Sequence, residues 1–118
     1  MYLLIDLEND TVQLAEPEDT KRFHLAVAHR ADRERTAALL AQHAGGHFDP
    51  DDANHAWVSA GVVREMAAGR VDTAWSGRFD DMLKLGEEKG YYDPATGAIR
   101  THVEWLAAEE DRGGEDPA

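Results

Sequence analysis

Two runs of alternating residues, one near each end, constrain this chain most. Phe23, Leu25 and Val27 alternate with His24 and Ala26, and Ile99, Thr101, Val103 and Trp105 alternate with Arg100, His102 and Glu104. A period of two sends alternate side chains to opposite sides of a strand, so each run predicts one apolar and one polar face. The segments between them carry helical spacing. The chain must therefore lay helices against a sheet built from both of its ends.

The remaining elements follow from punctuation. Residues 2–7 are a short apolar run, Glu8-Asn9-Asp10 are turn formers, and residues 11–15 alternate again, which predicts a hairpin. With the strand over residues 22–28 this reads as a three-strand antiparallel meander. Asp32 is placed to cap a first helix through residues 36–43, with Leu39, Leu40 and Ala44 in its stripe and Gly45-Gly46 stopping it. Residues 47–54 have loop composition, and residues 55–58 read as a short strand. Ser59 caps a helix over residues 60–68 that ends at Gly69. Ser76 is predicted to cap a third, carrying Phe79, Met82, Leu83 and Gly86, with Asp80 four residues before Lys84 and Gly90 as its stop. Residues 91–97 read as a strand stub and turn. The last run favours a strand over a helix whose face would pass through Ile99, Val103 and Leu106. This order has no repeating strand–helix unit, so the fold class is α+β: an N-terminal antiparallel meander packed with about three helices and a C-terminal strand.

A chain of 118 residues, 42% hydrophobic and 31% charged, is sized and composed for one core. Residues 1–107 are assigned to that domain. Residues 108–118, acidic and Gly-containing, are expected to be a mobile tail, because they hold too little apolar area to offset ordering. There is no cysteine, which removes disulfides, thiolate metal sites and cysteine nucleophiles together. No apolar run approaches the roughly 20 residues of a membrane span, and the first residues lack a basic leader, so a cytoplasmic protein with no membrane partner is expected.

The net charge of −12 is unevenly spread. Asp6, Glu8, Asp10, Glu16, Glu18 and Asp19 face no Lys or Arg within the first 20 residues, and residues 108–118 hold five acids against Arg112. The body between is nearly neutral. Nucleic-acid binding requires clustered positive charge, which is missing, so no nucleic-acid partner is expected.

Chemistry must come from imidazole and oxygen. The densest group is His43, His47, Asp49, Asp51, Asp52 and His55, but Gly45 and Gly46 break any helical face shared by His43 and His47. Ala44 stands where a zinc-protease helix needs Glu, and Ala53 stands where a calcium loop needs Asp or Asn. Turn and cap roles are the better account of these acids, and no metal or cofactor is expected. Neither glycine pair forms a phosphate loop, and Ser59 lacks the glycine that a nucleophile elbow requires.

The polar face of the last strand is the stronger candidate. Arg100, His102 and Glu104 point one way there, and an imidazole between a carboxylate and a guanidinium suits ligand contact or acid–base work, with His24 or His55 nearby. Paired charges on a wet sheet face are the plainer explanation. Trp57, Trp75, Phe79 and Trp105 are expected in the core, with Trp75 also a candidate for a pocket or interface.

From His55-Ala56-Trp57-Val58-Ser59, through Ala68-Gly69-Arg70-Val71 and Lys89-Gly90-Tyr91, to the strand of residues 99–105, the chain resembles a group of small actinobacterial hypothetical proteins. The resemblance covers about half the chain. It implies a source with a high-GC genome and carries over no activity and no site residue.

Three functions are compatible with these residues. The leading one is a non-enzymatic interaction module, homodimeric or bound to another protein through an exposed meander edge, with a small-molecule ligand also open. The second is a metal-independent isomerase, cyclase or lyase using His102, Glu104 and Arg100. The third is an acidic partner that neutralises a basic protein. An enclosed site would favour the enzyme, and a flat face the module.

Overall fold

The structure is a computed structural model describing residues 1–28 and 32–106. The expectation of a mobile tail falls outside them. The class is α+β: seven strands form one sheet among the described residues, and three helices pack on it.

Strands β1 (Tyr2–Asp6) and β2 (Thr11–Ala15) form the expected antiparallel hairpin. Strand β3 (His24–Ala28) departs from the meander, because it pairs with the other side of β1 and runs parallel to it, Leu3 opposite Leu25. Pro17 lies in the connection that makes this possible. Residues 16–23 return past the start of β1, where the Met1 ammonium donates to the carbonyls of Asp19 and Arg22 at 2.9 and 3.0 Å.

Helix α1 (Arg33–Leu39) begins as predicted, with the Asp32 carboxylate accepting the Arg35 N–H at 3.0 Å. It widens into a π-helical turn over Leu40–Ala44, and left-handed Gly45 ends it. The 47–54 segment is not a loop. Strand β4 (His47–Asp49) and strand β5 (Asp52–Ser59) form a tight antiparallel pair with a register shift at Phe48/Asp49. Pro50 and Asp51 form the connection, and Asp49 and Asp52 end the strands on either side of it.

Ser59 caps α2 (Ala60–Ala67) by accepting the Val62 N–H. Helix α3 (Trp75–Lys89) starts before the predicted Ser76 and has no side-chain cap. Its first turn is fixed instead by burying Trp75 against Phe79, rings stacked at 4.7 Å. Gly90 ends it in the left-handed region, β6 (Tyr92–Asp93) follows, and the last run is a strand, β7 (Ala98–Trp105).

The spatial order is β2-β1-β3-β7-β5-β4, with β6 beside the start of β7. One side of this sheet carries Leu3, Ile5, Leu14, Leu25, Val27, Val58, Ile99 and Val103, which join Leu40, Val63, Phe79 and the other buried helical side chains in one core. Trp105 packs at the margin of that core, stacked on Phe48. Trp57 does not join it, because its register partners are His47 and Arg100 on the opposite side of the sheet.

Candidate functional site

That opposite side holds the candidate residues. Register aligns Tyr2, His24 and Ala15 in one row, Leu4 with Ala26 and Glu104 in the next, and His55 with His102, and Trp57 with Arg100, further across. Among the described residues His102 and Glu104 stand exposed on this side, whereas Ala26 and Ala28 in its centre are buried, at 1% and 6% exposure.

The residues predicted from the sequence do share the face, but Arg100, His102 and Glu104 do not act on one another; Glu104 and His102 instead meet His24 and His55. Neighbours on one side of a strand stand about 6.6 Å apart, beyond hydrogen-bond reach for most side chains. Each therefore turns sideways. Arg100 reaches across to β4 and β5, its Nε donating to Asp49 at 2.8 Å and a terminal nitrogen to Asp52 at 3.3 Å. Glu104 leans the other way, 3.8 Å from His24, whose ring stacks on Tyr2 with centroids 4.9 Å apart. His102 meets the edge of His55 at 5.7 Å, and His55 hydrogen-bonds Asp52 through Nδ1 at 2.8 Å.

Asp49 and Asp52 were expected only to shape turns. They do so, since Asp49 accepts the Asp51 N–H and Asp52 the Asn54 N–H. Each uses its other oxygen on Arg100. The Arg100 guanidinium, with the Asp51 N–H second, holds the Asp49 carboxyl below the usual carboxylate range, and the Trp57 indole adds to this. Asp52 is lowered first by the Asn54 N–H and then by His55 and Arg100. Arg100 is in turn raised, mainly by Asp49. Nothing in the sequence joined residues 51 positions apart; the β4–β5 pairing does it.

His102 is exposed, the Glu104 side chain is 48% exposed, and the depression beside them, about 520 Å³ and bounded by Tyr2, Leu4, His24, Ala26, Glu104 and Leu106, is shallow. His55 is held by the Asp52 carboxylate, but it does not line this depression. Among the described residues no group of three His, Asp or Glu side chains converges as a metal site, and no helix is long and apolar enough to cross a membrane.

Trp75 is 4% exposed, and its indole N–H donates to the Pro17 carbonyl, so it ties α3 to the β2–β3 connection. The sheet edges offer little for strand addition. The outer strands are β2 and β4, not those of a meander: the Arg70 guanidinium occupies the Leu14 carbonyl of β2, and β4 is three residues long and bulged. Comparison with family models, with curated proteins and with solved structures finds no match.

Proposed function

We propose that this protein is a non-enzymatic interaction module whose open sheet face meets the same face of a second copy. One observation carries this reading: His102 and Glu104 are exposed on the sheet face, with Glu104 only at the edge of a shallow depression. Charge argues for self-association. The chain carries −12 overall, yet this face mixes Asp6, Asp49, Asp52 and Glu104 with Arg100 and the histidines His24, His47, His55 and His102, so repulsion between two copies is less there than the net charge of the chain implies. Beside the mixed charges the half-buried Tyr2, Leu4 and Leu106 surround buried Ala26 and form an apolar strip.

The neutralising-partner alternative is weaker because the early acids divide. Asp6, Glu8 and Asp10 sit at one end of β2 and Glu16, Glu18 and Asp19 at the other, roughly 17 Å apart for a five-residue strand, and Asp10 is engaged by Arg35.

Six strands of about five residues project roughly 450 Å² at about 4.8 Å between strands and 3.3 Å per residue. A standard complex buries about 800 Å² per partner, so the dimer is weak, with a dissociation constant on the order of 10 μM. Sedimentation equilibrium tests it. Leu4→Arg, which puts a cation into the apolar strip of each copy, is expected to weaken association at least about tenfold without changing the circular dichroism. Wild-type protein that stays monomeric at about 200 μM refutes the reading.

A further inference from the structure

A second surface, independent of the open face, has the features of a ligand site. Strands β6 and β3 pair with the same side of β7, Tyr92 opposite Ile99 and Leu25 opposite Val103, and the gap between them opens a cleft under the last turns of α3. It holds about 220 Å³. Phe23, Met82, Ile99 and the two tyrosines, Tyr91 and Tyr92, give it apolar and aromatic walls. The large hydrophobic side chains that stand exposed among the described residues, Leu85 at 52% and Tyr91 at 49%, both lie here.

Its charge runs against that of the chain. Acids outnumber Lys and Arg by 24 to 12, yet the charged residues lining the cleft are Lys21, Lys89 and Arg100, with no acid among them. Arg100 is already paired with Asp49 and Asp52. Lys21 and Lys89 make no ion pair among the described residues, so two ammonium groups border the apolar cavity, with Asp81 near Lys21 in the adjoining depression.

The walls are preorganised. The Tyr91 N–H donates to Gly86 at 2.6 Å, closing the end of α3, and the Arg100 N–H donates to the Tyr91 carbonyl at 2.7 Å, locking that tyrosine to β7. A Cβ at Gly86 would lie 3.4 Å from that of Tyr92 and 3.7 Å from that of Tyr91, so glycine lets the helix approach both.

We propose that this cleft binds a small organic anion of the aryl-carboxylate class, its ring between Tyr91, Phe23 and Met82 and its carboxylate at Lys21 and Lys89. A cavity of roughly 150 Å³ takes a benzene ring, so this one suits a one- or two-ring body. The aromatic walls supply the contact area, and the ammonium pair selects the charge.

Titration of ¹⁵N-labelled full-length protein with 1-naphthylacetate, followed by NMR, is the test. The expected result is saturable shifts at the amides of Gly86, Tyr91, Tyr92 and Arg100 with a dissociation constant of about 0.1–1 mM. The neutral 1-naphthylacetamide is expected to bind about fivefold or more weakly, and Lys21→Gln with Lys89→Gln to bring the acid down to the amide. Both lysines are exposed, so the double variant keeps the fold, as its unperturbed spectrum verifies. Leu4→Arg is expected to leave this binding unchanged, which separates the cleft from the dimer. Equal affinity for acid and amide, an unweakened double variant, shifts centred on Leu4 and Glu104, or no shift at about 10 mM each overturns the proposal.

Discussion

The contact that sets β5 in place can be tested by the same substitution at two glycines with opposite outcomes. At Gly46, between the π-helical turn and β4, an added Cβ would fall 2.1 Å from the Trp57 carbonyl oxygen and 3.2 Å from the Val58 Cα. A non-bonded carbon and oxygen need about 3.3 Å, so the turn and β5 must part by about 1.2 Å. Leu40 and Ala44, both fully buried, sit on that turn, and the Gly46 N–H closes it by donating to the Leu40 carbonyl at 3.0 Å. A fully buried leucine makes some 40–60 contacts of about 0.1–0.2 kcal/mol, and a gap near 1 Å forfeits about half of those it spans. With a third of the Leu40 contacts affected, a smaller loss at Ala44 and about 1 kcal/mol for the strained hydrogen bond, Gly46→Ala costs about 3 kcal/mol. Gly77, inside α3, has nothing within 4 Å of an added Cβ. There Gly77→Ala removes only backbone freedom from the unfolded chain and stabilises by about 0.5–1 kcal/mol. Thermal unfolding should place the first variant about 10–15 °C below wild type and the second about 2–4 °C above it. A Gly46→Ala protein melting within 2 °C or so of wild type would refute the close packing of the helix end on the strand that carries His55 and Trp57.

Two further outcomes follow from named partners. Asp49 and Asp52 have folded pKa values below their unfolded ones, so their contribution is fully present above the ordinary carboxyl value of about 3.9 and is lost as pH falls through the lowered values. Arg100→Met removes the main cause at Asp49 and a minor one at Asp52, so urea midpoints between about pH 5 and 2.5 should fall less steeply than in wild type, and an unchanged slope would contradict the pairing. Trp75→Phe retains a ring to stack on Phe79 but leaves the Pro17 carbonyl without its donor, a loss of about 1–2 kcal/mol by denaturant unfolding, whereas a neutral result would remove the indole's anchoring role.

Local chemistry was legible in the sequence wherever one residue acts on its own backbone. Asp32 and Ser59 cap the helices they precede, Gly45 and Gly90 end theirs, and the alternation of residues 99–105 sorts the two faces of β7. What failed depended on partners far away in the chain. The parallel pairing of β3 with β1 is a matter of which side of a strand is free, and a period of two looks alike in parallel and antiparallel neighbours. Residues 47–54 look like a loop because their Asp and Pro form the turn, while His47, Phe48, His55 and Ala56 gain strand structure by pairing across it. Ser76 is a good cap residue overruled by the burial of Trp75 one position earlier. The face of Arg100, His102 and Glu104 was readable; its division among three sets of cross-strand partners was not, because strand order decides who stands opposite.

Strand β7 links the two proposed surfaces and explains why their tests avoid it. Its outward side chains Arg100, His102 and Glu104 lie on the sheet face away from the core, while Ile99 and Arg100 also line the cleft. It is also bonded to β3, β5 and β6 at once. A substitution there shifts the core, the face and the cleft together, so loss of either association would not identify which surface failed. Leu4 lies three strands from β5 on the outer face, and Lys21 and Lys89 lie on the β3 lead-in and at the end of α3. Changes at these positions touch one surface each, so weakened dimerisation with intact ligand binding, or the reverse, assigns each loss to its own surface.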